Sequence, residues 1–210
     1  MKMLKKAAAV LLAAAMSLTM LTACGGGSGS SSSLLAQTLG NKYTLKYTLV
    51  EEGGREMPNG YSATVMTDGT RFYEMDSDDD YPSLTNAEGS YTLNLENKRA
   101  LKLKEKDDTE EMMKSAMAVT ESGTKEYKGK TYVTETATFD MNGGKISMSY
   151  CFYNGKLEYM MQNVTPPSGK THSWVYRVDS VTKSVDESLL DINNYTIVED
   201  ESDFIPTKIK

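Results

Sequence analysis

The 210-residue sequence is poor in the groups that do covalent chemistry or hold metals, with two cysteines, one histidine and one tryptophan. Two cysteines allow at most one disulfide, so the fold must stand on its core. The lone histidine, His172, excludes a multi-histidine zinc site and is the only imidazole base a serine or cysteine nucleophile could use. No G-x-S-x-G elbow occurs, and "NGGK" at Asn142 to Lys145 has too few glycines for a phosphate-binding loop. Five prolines, Pro58, Pro82, Pro166, Pro167 and Pro206, all fall between patterned runs, where a missing backbone donor does no harm. Positive charge is scarce too, at 23 Lys and Arg against 29 Asp and Glu. No basic face with interleaved aromatics appears, which argues against nucleic acid as a partner.

What the sequence has first is an address. Lys2, Lys5 and Lys6 precede an apolar run from Ala7 to Leu21 broken only by Ser17 and Thr19, and small residues Thr22-Ala23 follow. That order is the pattern of an export signal. As a helix the run reaches roughly 22 Å, short of the ~30 Å hydrocarbon core, so it is read as a cleaved segment and not as a membrane span. Leu21-Thr22-Ala23-Cys24 resembles the lipobox of bacterial lipoproteins. The resemblance implies that the Cys24 thiol carries diacylglycerol and that cleavage leaves Cys24 as the new N-terminus, acylated like other palmitate-bearing lipoproteins.

The expected organisation is a signal peptide over 1–23, a lipidated cysteine with a Gly/Ser-rich tether over 24–40, and a single β-rich domain over 41–210. Gly25 to Ser33 contain only glycine and serine, a random coil reaching about 15–18 Å. Without the three signal lysines, 20 basic residues face 29 acidic ones, a net charge of −9. Anionic headgroups repel such a body mildly, so the acyl chains must hold it. The expected location is the extracytoplasmic face of the cell membrane, or the outer membrane or periplasm where the envelope has two membranes. With Cys24 lipidated, Cys151 has no intramolecular partner.

In the rest of the chain apolar residues recur with a period of two. "KYTLKYTLV" puts Tyr43, Leu45, Tyr47 and Leu49 on one face, "GYSATVM" repeats the pattern, and "SYTLNLENKRALKL" reads as two strands about a turn. "KTYVTETATF" and "KISMSYCFYNGKLEYMMQ" continue it, and Asn154-Gly155 is the preferred pair for a two-residue hairpin. "HSWVYRVDS" and "NYTIVED" add two more strands. The expected class is mainly β with some α: a curved antiparallel sheet or half-open β-barrel of nine or ten strands with one short amphipathic helix. That helix is read in "KDDTEEMMKSAMAV", where Asp108 and Glu111 form a capping pair before Met112, Met113, Ala116 and Met117 at helical spacing.

An amphipathic first strand, paired strands such as "YSATVMTDGTRFYEM" and "YTLNLENKRALKL", an inserted helix and then "SMSYCFYNGKLEYM" together resemble the LolA/LolB-type lipoprotein-carrier superfamily over residues 42–165. The resemblance implies a half-open antiparallel barrel whose concave side faces helices and holds an acyl chain. This sequence departs from the best-known carriers in having one helix and its own lipid anchor.

No catalytic residue, metal site or cofactor is expected, and the protein is read as a non-enzyme. Asp76, Asp78 and Asp80 have the spacing of a calcium loop, but Tyr81 stands where a glycine is required and Ala87 where a glutamate belongs. Cys151 shares the polar phase of its strand and has no cationic neighbour in sequence to activate it. The methionines carry more: ten remain after the signal, and this flexible, polarizable side chain suits surfaces for varied apolar partners. The expected ligand-binding residues are Met112, Met113, Met117, Met148, Tyr150 and Phe152, between sheet and helix. Two functions follow as expectations. In one, the domain is a monomeric module binding a lipid or lipidated peptide; in the other, it is a dry scaffold presenting loops such as Asp76 to Tyr81 and Pro166 to Thr171 to another envelope protein.

Overall fold

The computed structural model describes residues 33–104, 115–141 and 143–205. Cys24 and the lipobox lie outside the described residues, as do Met112 and Met113 of the expected helix. Of that helix, 115–117 form a helical turn with Ala116 and Met117 buried.

The period-two runs become strands because a pleated backbone sends successive side chains to opposite faces. β1 (Tyr43–Glu52) buries Tyr43, Leu45, Tyr47 and Leu49, while Thr44, Lys46 and Thr48 lie on the other side. The remaining strands are β2 (Arg55–Glu56), β3 (Ser62–Thr67), β4 (Phe72–Asp76), β5 (Ser83–Asn86), β6 (Gly89–Asn94), β7 (Arg99–Lys102), β8 (Val119–Tyr127), β9 (Lys130–Met141), β10 (Gly144–Tyr153), β11 (Lys156–Thr165), β12 (His172–Thr182) and β13 (Thr196–Val198).

They form one open sheet of 13 strands in the order β13-β7-β6-β5-β4-β3-β1-β12-β11-β10-β9-β8, with the short β2 on β1. β1 therefore sits between two meanders, β3 to β7 on one side and β8 to β12 on the other. β13 runs parallel to β7, so the sheet is mixed and not purely antiparallel. The mainly-β class holds. The count exceeds the nine or ten strands expected because β2 and β5 have only two and four residues, too few to show alternation, and β8 is exposed on both faces, so it carries no apolar period.

Two tight turns set the register of the second meander. Asn154 and Gly155 have φ of 51° and 76°, and Lys128 and Gly129 have φ of 46° and 74°. Both pairs adopt the positive φ that a two-residue hairpin needs. Tyr153 thereby pairs with Lys156 and Tyr127 with Lys130. Gly60 is fixed by close approach: a Cβ there would collide with the backbone of Leu49, which donates its N–H to Tyr61.

A helix absent from the sequence expectations, α1 (Leu34–Leu39), lies on one face of the sheet. Its Leu35 and Leu39, four residues apart and so on one helical face, are buried. Gly40, with φ of 66°, ends it. The sequence places the whole stretch 24–40 in the tether; in the structure the chain belongs to the folded body from Ser33 onward. The physical reason is the apolar i, i+4 pair, which gains more by packing on the sheet than by staying in solvent.

Three apolar clusters result. The first joins α1 to the inward residues of β1, β3, β10, β11 and β12. The second, on the opposite face of β3 to β7, packs Met66, Tyr73, Leu84, Tyr91, Leu93 and Ala100 under Leu190, Ile192 and Tyr195. Leu190 comes from α2 (Glu187–Leu190), Ile192 from the 3-10 turn Ile192–Asn194 that follows it, and Tyr195 caps that turn. The third is smaller: Tyr132, Cys151, Met161 and Val175 on the opposite face of the second meander. A last helix, α3 (Glu201–Phe204), packs beside β7 and β13 and buries Phe204.

Candidate functional site

The sheet face beneath α1 brings together four of the expected ligand-binding residues. Met117, Met148, Tyr150 and Phe152 share one cluster with Leu35 and Leu39. All four are at most 4% exposed, so in this structure they are packed core and not the wall of an open groove. The side chains of α1 fill the place expected for a ligand.

α1 is fixed at its start by a buried carboxylate. Glu135 of β9 accepts from Leu34 N at 2.8 Å, Leu35 N at 2.9 Å and Ser33 Oγ at 2.5 Å. A helix start leaves its first N–H groups without partners and carries positive partial charge, so an anion there satisfies both. Beneath the helix lies a tyrosine network. Tyr61 donates to Tyr176 Oη at 3.3 Å, Tyr176 donates to Gln162 Oε1 at 3.4 Å, and Tyr47 donates to Glu74 Oε1 at 3.5 Å. Burial raises all three phenol pKa values well above the ordinary one, so these hydroxyls stay neutral donors.

One cleft opens beside α1. It is bounded by Thr38 of the helix, by Asn154, Gly155, Lys156 and Leu157 at the β10–β11 turn, and by Val178, Ser180, Val181 and Lys183 at the end of β12. Its volume is about 360 Å³, toward the small end of the range for small-molecule sites. Leu157 and Val178 belong to the core cluster and Val181 packs against it, so the base of the cleft is apolar. Lys156 and Lys183, both exposed, are among its lining residues. Lys183 Nζ also donates to Gln37 O of α1 at 3.0 Å, joining the cleft to the helix. The bulge that leaves Asp179 outside the pairing, where Tyr47 faces Val178 and Lys46 faces Ser180, re-aims the end of β12 toward this cleft.

The sequence missed this place. None of its lining residues stands among the expected site residues, and the one local signal was the Ser33 cap followed by Leu35 and Leu39.

Other chemically able groups are dispersed. Cys151 is buried and its thiol pKa is pushed up to about 11 by desolvation, with Lys125 opposing, which makes it a poor nucleophile. It pairs with Tyr159 of β11, whereas His172 pairs with Val164, five residues or about 16 Å further along that strand. His172 stacks on Trp174, with ring centroids 6.1 Å apart. In the acidic loop, Asp76 Oδ1 accepts from Asp78 N at 2.8 Å, an ordinary side-chain turn. Among the described residues no group of three or more His, Cys, Asp or Glu is placed to hold a metal, and no helix is long and apolar enough to cross a membrane.

No protein-family model and no curated protein matches the chain. Among solved structures it is similar to PNGF-II, at 16% identity and a TM-score of 0.39, over 76% of this chain. The aligned part spans 32% of PNGF-II. A likeness so distant carries no argument about activity.

Proposed function

We propose that the chain is an extracytoplasmic lipoprotein, anchored through Cys24, whose β domain is a non-enzymatic module for a ligand with an apolar chain and an anionic end. The cleft between α1, the β10–β11 turn and β12 carries this reading: an apolar base of Leu157, Val178 and Val181 is rimmed by Lys156 and Lys183. Burial of an alkyl chain supplies the affinity, at about 0.8 kcal/mol per methylene, and the lysines select the acidic end. The domain as a whole is acidic, so two lysines beside one apolar cleft are a local reversal of sign. A fatty acyl carboxylate or an acylated anionic peptide has this chemistry. The half-open barrel of the LolA/LolB-type resemblance is part of the same proposal, with α1 seated on the barrel's inner side.

The test uses the full-length protein in detergent with a fluorescent long-chain fatty acid as probe. Saturable binding is expected, weakened at least tenfold in Val181→Trp, which enlarges a side chain at the base of the cleft, and severalfold in the double variant Lys156→Glu, Lys183→Glu. Absence of saturable binding, or binding untouched by both variants, overturns the reading.

A second reading rests on a specific observation. Met117, Met148, Tyr150 and Phe152 are sealed under α1, as in a dry scaffold that serves the envelope by binding another protein. Cross-linking from intact envelopes that yields one stoichiometric partner, together with no bound fatty acid, favours it.

A further inference from the structure

The two ends of the sheet are finished differently. At one end β13 pairs with β7 and α3 packs beside both. At the other end β8 is the last strand of the order, and Thr120 to Glu126 are exposed on both of its faces. Among the described residues nothing pairs with this edge; an edge of this length presents a row of backbone donors and acceptors, and natural sheets seldom leave one without a cover or a partner.

The backbone direction at this edge follows from the hairpin. In a two-residue hairpin the residues flanking the turn exchange both hydrogen bonds, and the pattern then alternates along the strand. Tyr127 and Lys130 flank the turn, followed by Lys125 with Tyr132 and Gly123 with Thr134. Gly123 and Lys125 thus direct their N–H and C=O groups toward β9, and Ser122 and Thr124 direct theirs outward.

We propose that this edge is a homodimer interface, in which β8 pairs antiparallel with β8 of a second copy about a twofold axis at Gly123. The sequence of the edge, Glu121-Ser122-Gly123-Thr124-Lys125, is self-complementary in that register. Ser122 meets Thr124 of the second copy, and both have outward backbone groups, so the ladder hydrogen bonds form twice. Glu121 meets Lys125 of the second copy, also twice. Glu121, Gly123 and Lys125 pair with Thr136, Thr134 and Tyr132 of β9, so they share one sheet face and the opposite charges fall side by side. On the axis, Gly123 meets itself in a non-hydrogen-bonded pair, where backbones approach most closely. The register shift between Val119 and Glu121 ends the matched segment at five residues. So short an interface buries less than a permanent dimer needs, and the association is weak and concentration-dependent. It replaces the monomer expected from the sequence and does not depend on the ligand reading.

The test uses the full-length protein in detergent. Gly123→Cys is chosen because a Cβ there meets only Thr134 Oγ1, at 3.7 Å, so the variant folds, while Cys151 is buried. Lys145→Cys, exposed on β10, is the control. Under mild oxidation Gly123→Cys cross-links and the control does not. In the Gly123→Cys background Glu121→Lys and Lys125→Glu each lower the cross-linked fraction at least about threefold, since like charges then face each other across the strands, and the double reversal restores it. Sedimentation velocity of the wild type shows a concentration-dependent dimer. A monomer at every concentration, equal cross-linking of the two cysteine variants, or failure of the double reversal to restore overturns the proposal. If a reversal lowers the circular dichroism signal, Glu121→Gln and Lys125→Gln replace it, each again lowering the cross-linked fraction; no decrease with either overturns the proposal.

Discussion

The meanders on either side of β1 share a strand texture but differ on the face turned away from α1. The outer face of β3 to β7 is covered by Leu190, Ile192 and Tyr195, brought back by the C-terminal segment. The outer face of β9 to β12 has no such cover among the described residues. It tiles itself with tyrosines: Tyr127 and Tyr132 meet Tyr159 edge-on at 5.0 and 5.7 Å, and Lys130 Nζ lies 4.6 Å from the Tyr153 ring centroid. Tyr127 donates to Glu51 and Tyr132 to Glu158. Amphipathic side chains can thus finish a face that apolar ones would leave needing a lid. The covered meander also has its edge paired by β13, whereas the self-finished one ends in β8, which has no strand beyond it among the described residues.

Stability measurements can break or sharpen this contrast. The largest loss is expected where both meanders depend on one element. Leu39→Ala, at a fully buried position of α1, should cost about 2–5 kcal/mol in urea unfolding. Next comes the cover of the first meander, where Leu190→Ala should cost about 2–4 kcal/mol. The equivalent truncation on the self-finished face, Tyr153→Ala, should cost about 1 kcal/mol, as for a half-exposed side chain. Equal losses at Leu190 and Tyr153 would erase the distinction between the two faces. Glu135→Gln removes the anion from the start of α1 and should cost about 1 kcal/mol.

The smallest effect is acid-dependent and confined to the covered meander. Burial pushes the Asp68 carboxyl up, but the N–H groups of Thr70 and Arg71 and the Arg71 guanidinium outweigh it and hold its pKa at about 2, below the ordinary 3.8. A depressed folded-state value means that the stabilisation is complete above 3.8 and is lost as pH falls toward about 2. Arg71 also bridges to Glu187 at 2.5 Å, so amide signals of α2 should shift through that window while those of β10 hold still.

Long alternating runs were legible because period two survives wherever one face is buried and the other is not. Tyr43 to Leu49 and Ile146 to Phe152 declared their inward faces without help. The strand in "NYTIVED" was legible but its pairing with β7 was not, since a strand names no partner and this one lies almost a hundred residues earlier. The candidate site was half legible. Alternation put Met148, Tyr150 and Phe152 on one face, yet what covers them is Leu35 and Leu39, set more than a hundred residues away. The cleft itself is assembled from Thr38, the β10–β11 turn and the bulged end of β12, three segments that meet only in the folded chain.

The most direct measurement is a methyl NMR titration of the full-length protein in detergent micelles with a long-chain fatty acid. Saturable shifts are expected at Leu157, Val178 and Val181, with Met148 unmoved beneath α1. Shifts absent from all three, or centred on Met148 instead, would contradict a ligand held in the cleft beside α1.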